Sequence, residues 1–374
     1  MRESFLRIPY NGHPMLSKWA VTDTATTCLP SMFIPGRPLA PAEAFSLGAQ
    51  VLAKLPEKGE TLSAVIFNGV GTGYGDLICG SVFVRALYQR IESMGYKPEI
   101  GLIPMPQSNL AAYYKDIFGN DPHVAYIAMG GIAMEQFQKV NLVYSTEALI
   151  ADGEFDKTDM IGYFLKRGGI DDFPDKNPEL YPNVDEFMKE FEAVRSESKD
   201  AIYLNFFGSG MRRVPVRFWR DIADPLLRAG YRLRLNAEKG ASGLVQSWVS
   251  ACYSHKRDYI SCVGEPGTWS QYCARVAACK GMVTTDTSAT HVAAALRKPC
   301  VTMFAFIDPG LRICHYPLAR GWTSEAFKMS KLWGKSHPPS DWTFFSHDDD
   351  PRICRPWQKS DKLSIVRLLQ EVIN

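Results

Sequence analysis

The stretch GMVTTDTSATHVAAALRKPCVTMFAFIDPGL (281–311) decides the fold. GMVTTD (281–286) reads as a short buried strand, TSATHVAAALRKP (287–299) as a helix and CVTMFAF (300–306) as the next strand. Asp286, Thr287 and Ser288 stand where the strand gives way to the helix, so the helix start offers backbone N–H groups and two hydroxyls to a phosphate. His291 lies in the first turns of that helix, where its imidazole can donate to a diphosphate or leaving-group oxygen. Capping by Asp286 and Thr287, with His291 packed against the sheet, fits the same residues equally well.

Working backward, WSQYCARVAACKG (269–281) reads as a helix, while AIYLNFFGSG (201–210) and YRLRLNA (231–237) read as strands flanking a helix over 216–230. The first half shows the same alternation. LSAVIFNGV (62–70) is a β-branched apolar run, GVGTGYGD (69–76) a glycine loop carrying Gly73 and Gly75, residues 77–94 a helix, and YKPEIGLIPM (96–105) the next strand. HVAYIAM (123–129) and VNLVYS (140–145) continue the series. Strands alternating with helices in two halves predict two parallel α/β domains facing across a cleft. The expected division is an irregular extension over 1–60, with one short helix after Pro41, a first Rossmann-like domain over 61–198 that includes a Pro-rich linker, a second over 199–358, and a closing helix over 359–374 started by Ser360 and Asp361.

The segment 284–311 closely resembles glycosyltransferase family 9, the ADP-heptose:lipopolysaccharide heptosyltransferases. Asp286, Thr287, Ser288, His291, Ala293, Ala294, Leu296, Pro299, Phe304, Asp308 and Pro309 fall on the family's run, with Ser288 where glycine is usual. The resemblance implies a GT-B fold, a donor-diphosphate site at 286–291, and a last helix packing back toward the first domain. It also matches Gly75-Asp76 to the family's Gly-Asp pair, which implies that Asp76 is the catalytic base; a helix N-cap is the other reading of Asp76. In FFGSGMRRVPVRFW (206–219), Arg212 takes the place of a phosphate-binding lysine and Ser209 is a further donor, although Val214 replaces the usual aromatic. Glu238 is the nearest candidate for a ribose ligand, and Thr268 and Trp269 are candidates for the base; each also reads as a loop or core residue.

Composition narrows the alternatives. The 374 residues carry 42 Lys+Arg against 40 Asp+Glu, so no global field favours nucleic acid or an anionic membrane. No run approaches the ~20 apolar residues of a membrane span, and the opening residues lack the apolar centre of a signal peptide, so a cytoplasmic protein is expected. The nine cysteines show no C-x-x-C spacing, and the acids at 348–350 read as a solvated loop, so no metal site is expected. The glycines at 71, 73 and 75 do not match G-x-G-x-x-G, and no acid closes the next strand, which disfavours a dehydrogenase. The expectation is therefore inverting sugar transfer from an ADP- or UDP-sugar without a cofactor. The acceptor is a hydroxylated glycan, a lipid-linked glycan or a nucleic acid carrying a hydroxymethylated base; the alternative is a non-catalytic nucleotide-binding module.

Overall fold

A computed structural model of the chain describes residues 27–28, 49–51, 55–67, 69–104, 109–129, 132–133, 139–145, 157–208, 210–236, 242–256, 258–335 and 349–374. The chain divides into two compact units, Met1–Tyr181 and Pro182–Asn374.

In the first unit, β1 (Thr27–Cys28), β2 (Ala49–Val51) and β3 (Thr61–Phe67) precede helix α1 (Tyr74–Ser93), β4 (Lys97–Ile103) and α2 (Leu110–Phe118). Then come β5 (Tyr126–Ile127), β6 (Ile132–Ala133), β7 (Leu142–Ser145) and α3 (Met160–Gly168). The main sheet runs β2-β7-β3-β4-β5. Its pairs are parallel except β2 with β7. Leu62, Ala64, Val65 and Ile66 are all buried, as consecutive residues of a strand covered on both faces must be. Helix α1 is buried around most of its circumference, with Leu77, Ile78, Val82, Phe83, Val84 and Leu87 inside.

The short helix expected after Pro41 is corrected at Ala49–Val51, which pair antiparallel with Leu142–Tyr144; residues 41–48 and 52–54 lie outside the described residues. A three-residue segment has no intrinsic preference strong enough to resist a sheet edge that satisfies its backbone. Thr27–Cys28 likewise pair with Ile132–Ala133, so both described strands of the extension brace the first unit.

Arg85 explains why the chain divides after Tyr181, earlier than the expected 198. This arginine is only 4% exposed, and a buried guanidinium must be paired. Its Nη2 donates to the carbonyls of Asp175 (2.6 Å) and Asn177 (3.0 Å), and Nη1 lies 2.6 Å from Glu179 Oε1. The Pro-rich stretch that reads as linker is thus clamped onto α1.

The second unit comprises α4 (Val184–Ser198), β8 (Ala201–Asn205), α5 (Trp219–Arg228), β9 (Arg232–Asn236), α6 (Ser242–Tyr253), β10 (Ile260–Val263) and α7 (Trp269–Ala278). It continues through β11 (Gly281–Thr285), α8 (Ser288–Ala295), β12 (Cys300–Met303), α9 (Gly310–Ile313), β13 (Ala319–Trp322), α10 (Glu325–Lys328), α11 (Pro351–Lys359) and α12 (Leu363–Ile373). The sheet order is β10-β9-β8-β11-β12-β13, with every pair parallel. This is the doubly wound Rossmann order, and the strand sequence reverses between β8 and β11.

Helix α12 takes Lys362, not Ser360 or Asp361, as its N-cap residue, while Asp361 Oδ1 accepts from Leu363 N at 3.0 Å in the turn that leads into it. It buries Ile365 and Leu369 and packs on β11, β12, β13 and α5. Its apolar stripe completes the core of the second unit. Trp322 and Trp357 stack at 5.6 Å in that same core. No helix among the described residues is long and apolar enough to cross a membrane.

Candidate functional site

Because all pairs in the second sheet are parallel, the loops after β8, β10 and β11 emerge on one edge, and those after β8 and β11 flank the reversal point where ligands bind in such sheets. The two loops are stitched together. Asn205 Nδ2 donates to Thr284 Oγ1 (3.2 Å) and Thr287 Oγ1 (3.5 Å), and Thr285 Oγ1 donates to Phe207 O (3.4 Å). A Cβ at Gly208 would stand 2.9 Å from Thr285 Oγ1, so only glycine lets the β8 loop lie this close. Trp219 Nε1, donating to Val214 O at 3.0 Å, anchors the far end of that loop.

These contacts bring Arg212 Nε to 3.8 Å from Asp286 Oδ2 across 74 residues of sequence. Asp286 is nearly buried, whereas Thr287 and Ser288 remain half-buried at the helix start. Thr287 caps α8 with extended backbone, but its side chain accepts from no first-turn N–H and faces Asn205 and Thr284 instead. A cation held beside a helix N-terminus is an arrangement suited to a diphosphate. Ser209 and Glu238 lie outside the described residues.

His291 is 3% exposed, and its Nδ1 is hydrogen-bonded to Tyr316 Oη at 2.6 Å. Burial pushes its pKa from 6.5 down to about 4, opposed by Asp286 and reinforced by Arg312 and Arg212. The imidazole is therefore neutral at ordinary pH and packs as part of the wall behind Asp286. Between pH 6.5 and 4 the unfolded chain takes up a proton at His291 that the folded chain does not. Stability at this residue is accordingly complete above pH 6.5 and lost on acidification toward pH 4, by on the order of 3 kcal/mol. Denaturant unfolding across this range checks it: His291→Gln flattens the pH slope, and an unchanged slope contradicts it.

Arg312 and Tyr316 escaped the sequence reading. They sit four residues apart just after the Asp308-Pro309 turn, in which Asp308 Oδ1 accepts from Gly310 N at 2.8 Å. That turn starts α9 and carries both residues inward. The Asp-Pro pair was the available signal.

Thr268 and Trp269 stand on the same edge at the end of β10, two strand spacings or roughly 10 Å from β8. Thr268 is the N-cap of α7: its Oγ1 accepts from Gln271 N (3.3 Å) and donates to Glu186 Oε2 (2.8 Å). Trp269 is half-buried against Tyr272, with ring centroids 5.7 Å apart.

In the first unit the glycine loop leaves β3 beside the equivalent reversal, between β3 and β7. Asp76 Oδ2 accepts from Gly73 N (3.1 Å) and Thr72 N (3.3 Å). These bonds start α1 at Tyr74, so the expected loop over 69–76 is shorter and Gly75 is helical, while Gly73 is the N-cap. A Cβ at Gly71, where φ is +130°, would fall 2.2 Å from Asp76 Cβ. The carboxylate is held closely in place.

Residues 176–320 match the sequence model of glycosyltransferase family 9 (heptosyltransferase), a span that contains both switch-point loops of the second unit. No curated protein matches the chain. Among solved structures, a family 9 glycosyl transferase from Veillonella parvula DSM 2008 superposes at 12% identity with a TM-score of 0.55, over 84% of this chain and 97% of that one. TibC from enterotoxigenic E. coli H10407, described as an iron-containing dodecameric glycosyltransferase, superposes at 12% identity with a TM-score of 0.51, over 86% of this chain and 77% of that one. A second TibC structure, in complex with ADP-D-β-D-heptose, gives 0.52. At such identities the likeness shows the fold, GT-B, built from two Rossmann-like units.

TibC corrects one expectation. Its description as iron-containing removes the ground for reading a cofactor-free enzyme from this fold.

Proposed function

We propose that the protein transfers a sugar from a nucleotide-sugar donor, ADP-linked by preference, to a hydroxyl of a glycan or other polymer. One observation carries this reading: the loops after β8 and β11 of the family 9 segment meet at the reversal point of the sheet, with Arg212 beside Asp286. The ADP-D-β-D-heptose bound by TibC supports adenosine as the base and heptose as the first sugar to test.

In the proposed reaction the Asp76 carboxylate removes the acceptor proton, the hydroxyl oxygen bonds to the anomeric carbon, and the bond from that carbon to the diphosphate breaks. The charge that develops on the departing diphosphate is received by Arg212 and the α8 N-terminus. A single displacement inverts the anomeric centre. Cys252, Cys279, Cys300 and Cys314 carry thiols rather than disulfides, which supports a reducing, cytoplasmic setting.

The test is nucleoside diphosphate release from ADP-heptose and from UDP-glucose in the presence of hydroxylated acceptors, with and without added Fe(II), followed by NMR of the new linkage. Release from the ADP-sugar with inverted configuration is expected. Retained configuration overturns the single displacement. The hydrogen bonds that make Asp76 a helix cap favour a second reading, a module that binds the nucleotide without transfer; ADP binding with no release from either donor would establish it.

A further inference from the structure

At the opposite edge of the second sheet, where β9 and β10 begin, lies a cavity of about 510 Å³ beside Glu197, Arg232, Arg234, Asp258, Tyr259 and Ser261. Its volume is that of a small-ligand site, and five-residue strands set it roughly 17 Å from the switch-point edge.

The pleat builds it. Leu233 pairs with Ile260 and both turn to the core, so Arg234 and its partner Ser261 lie on the other face. Arg234 Nη1 donates to Ser261 Oγ at 2.8 Å, and Nη2 binds Glu197 at the end of α4, which fixes the guanidinium on the cavity floor. On this same face Tyr203 of β8 is buried against Tyr272 of α7. Further out the sheet corner is open: Arg232 is exposed and Tyr259 is 53% exposed.

We propose that this corner is a second binding site, for a neutral oligosaccharide. Two guanidiniums face two carboxylates, so the lining offers no net charge to recruit a phosphate or a nucleic acid. It offers instead donors and acceptors grouped around the held Arg234 guanidinium, the complement of vicinal hydroxyls. The Tyr259 ring supplies a flat apolar surface with a polar tip, which suits the less polar face of a sugar ring. Such a site holds a polymer away from the reacting hydroxyl. It requires no transfer chemistry and stands or falls separately from the reading above.

The experiment titrates the full chain with maltohexaose, cellohexaose, mannohexaose and chitohexaose, read by saturation-transfer NMR and calorimetry. At least one binds, and Tyr259→Ala and Arg232→Ala each weaken it about tenfold. Both positions are exposed, so the melting temperature holds, and ADP affinity is unchanged in both variants. Binding of none of the four, binding indifferent to Tyr259→Ala, or displacement of the bound hexasaccharide by ADP or inorganic phosphate overturns the proposal.

Discussion

Asp76→Asn lowers the rate of sugar transfer about 10²- to 10⁴-fold while ADP binding and folding stay near those of the parent chain. The substitution separates the two roles open to this residue. An amide oxygen still accepts from Gly73 N and Thr72 N, so the start of α1 is preserved, but an amide cannot take a proton from an acceptor hydroxyl. Asp76→Ala loses both functions and adds about 1 kcal/mol of instability for the missing cap. Steady-state release of the nucleoside diphosphate measures the rate, and thermal melting measures the fold. Full activity in Asp76→Asn would leave Asp76 as a helix cap only.

Gly69→Ala destabilises the chain by at least about 3 kcal/mol. Gly69 sits at φ +66°, and a Cβ there would lie 1.8 Å from Tyr114 Oη. That buried hydroxyl accepts from Val70 N at 2.7 Å and donates to Gly71 O at 3.1 Å, so it pins the loop that presents Asp76. Any shift that admits the methyl group breaks both bonds. Gly73→Ala is the control: Gly73 has an extended φ of −127°, and its Cβ would meet only Asp76 Oδ2 at an ordinary 3.6 Å. Denaturant titration of the two variants decides the matter. A loss below about 1 kcal/mol at Gly69 would show that Tyr114 does not brace the loop.

Much of the fold was legible because buried parallel strands write themselves as apolar runs. The runs read over 62–70, 201–210, 281–286 and 300–306 became strands that start within a residue of the reading and end one to five residues before it. The segments that were missed lack such a signal. Ala49–Val51 and Ile132–Ala133 are strands only because a neighbour pairs with them, and α2 (Leu110–Phe118) and α11 (Pro351–Lys359) are short and begin beside sequence with no periodicity. The clamp at Arg85 was invisible for a different reason. An arginine in a helix reads as solvent-facing, and nothing local tells that residues 175–179 fold back over it.

The candidate site was legible mainly through resemblance. Arg212 and Asp286 are brought to 3.8 Å by sheet order, which no local pattern encodes. The orientation of His291 was equally hidden: α8 is buried at Ala289, Val292, Ala293 and Ala294, so its sequence has no polar face from which to tell which way the imidazole turns. The hydroxyl that receives it, on Tyr316, lies 25 residues further along the chain.

The most direct test is a calorimetric titration of ADP and of UDP into the parent chain and into Arg212→Ala. The switch-point edge of the second unit is expected to bind ADP more tightly than UDP, and loss of a charge-assisted contact worth about 1.5–3 kcal/mol weakens ADP roughly 10- to 150-fold in the variant. An ADP affinity indifferent to Arg212→Ala, or a parent chain that binds neither nucleotide, would contradict the placement of the donor diphosphate at this edge.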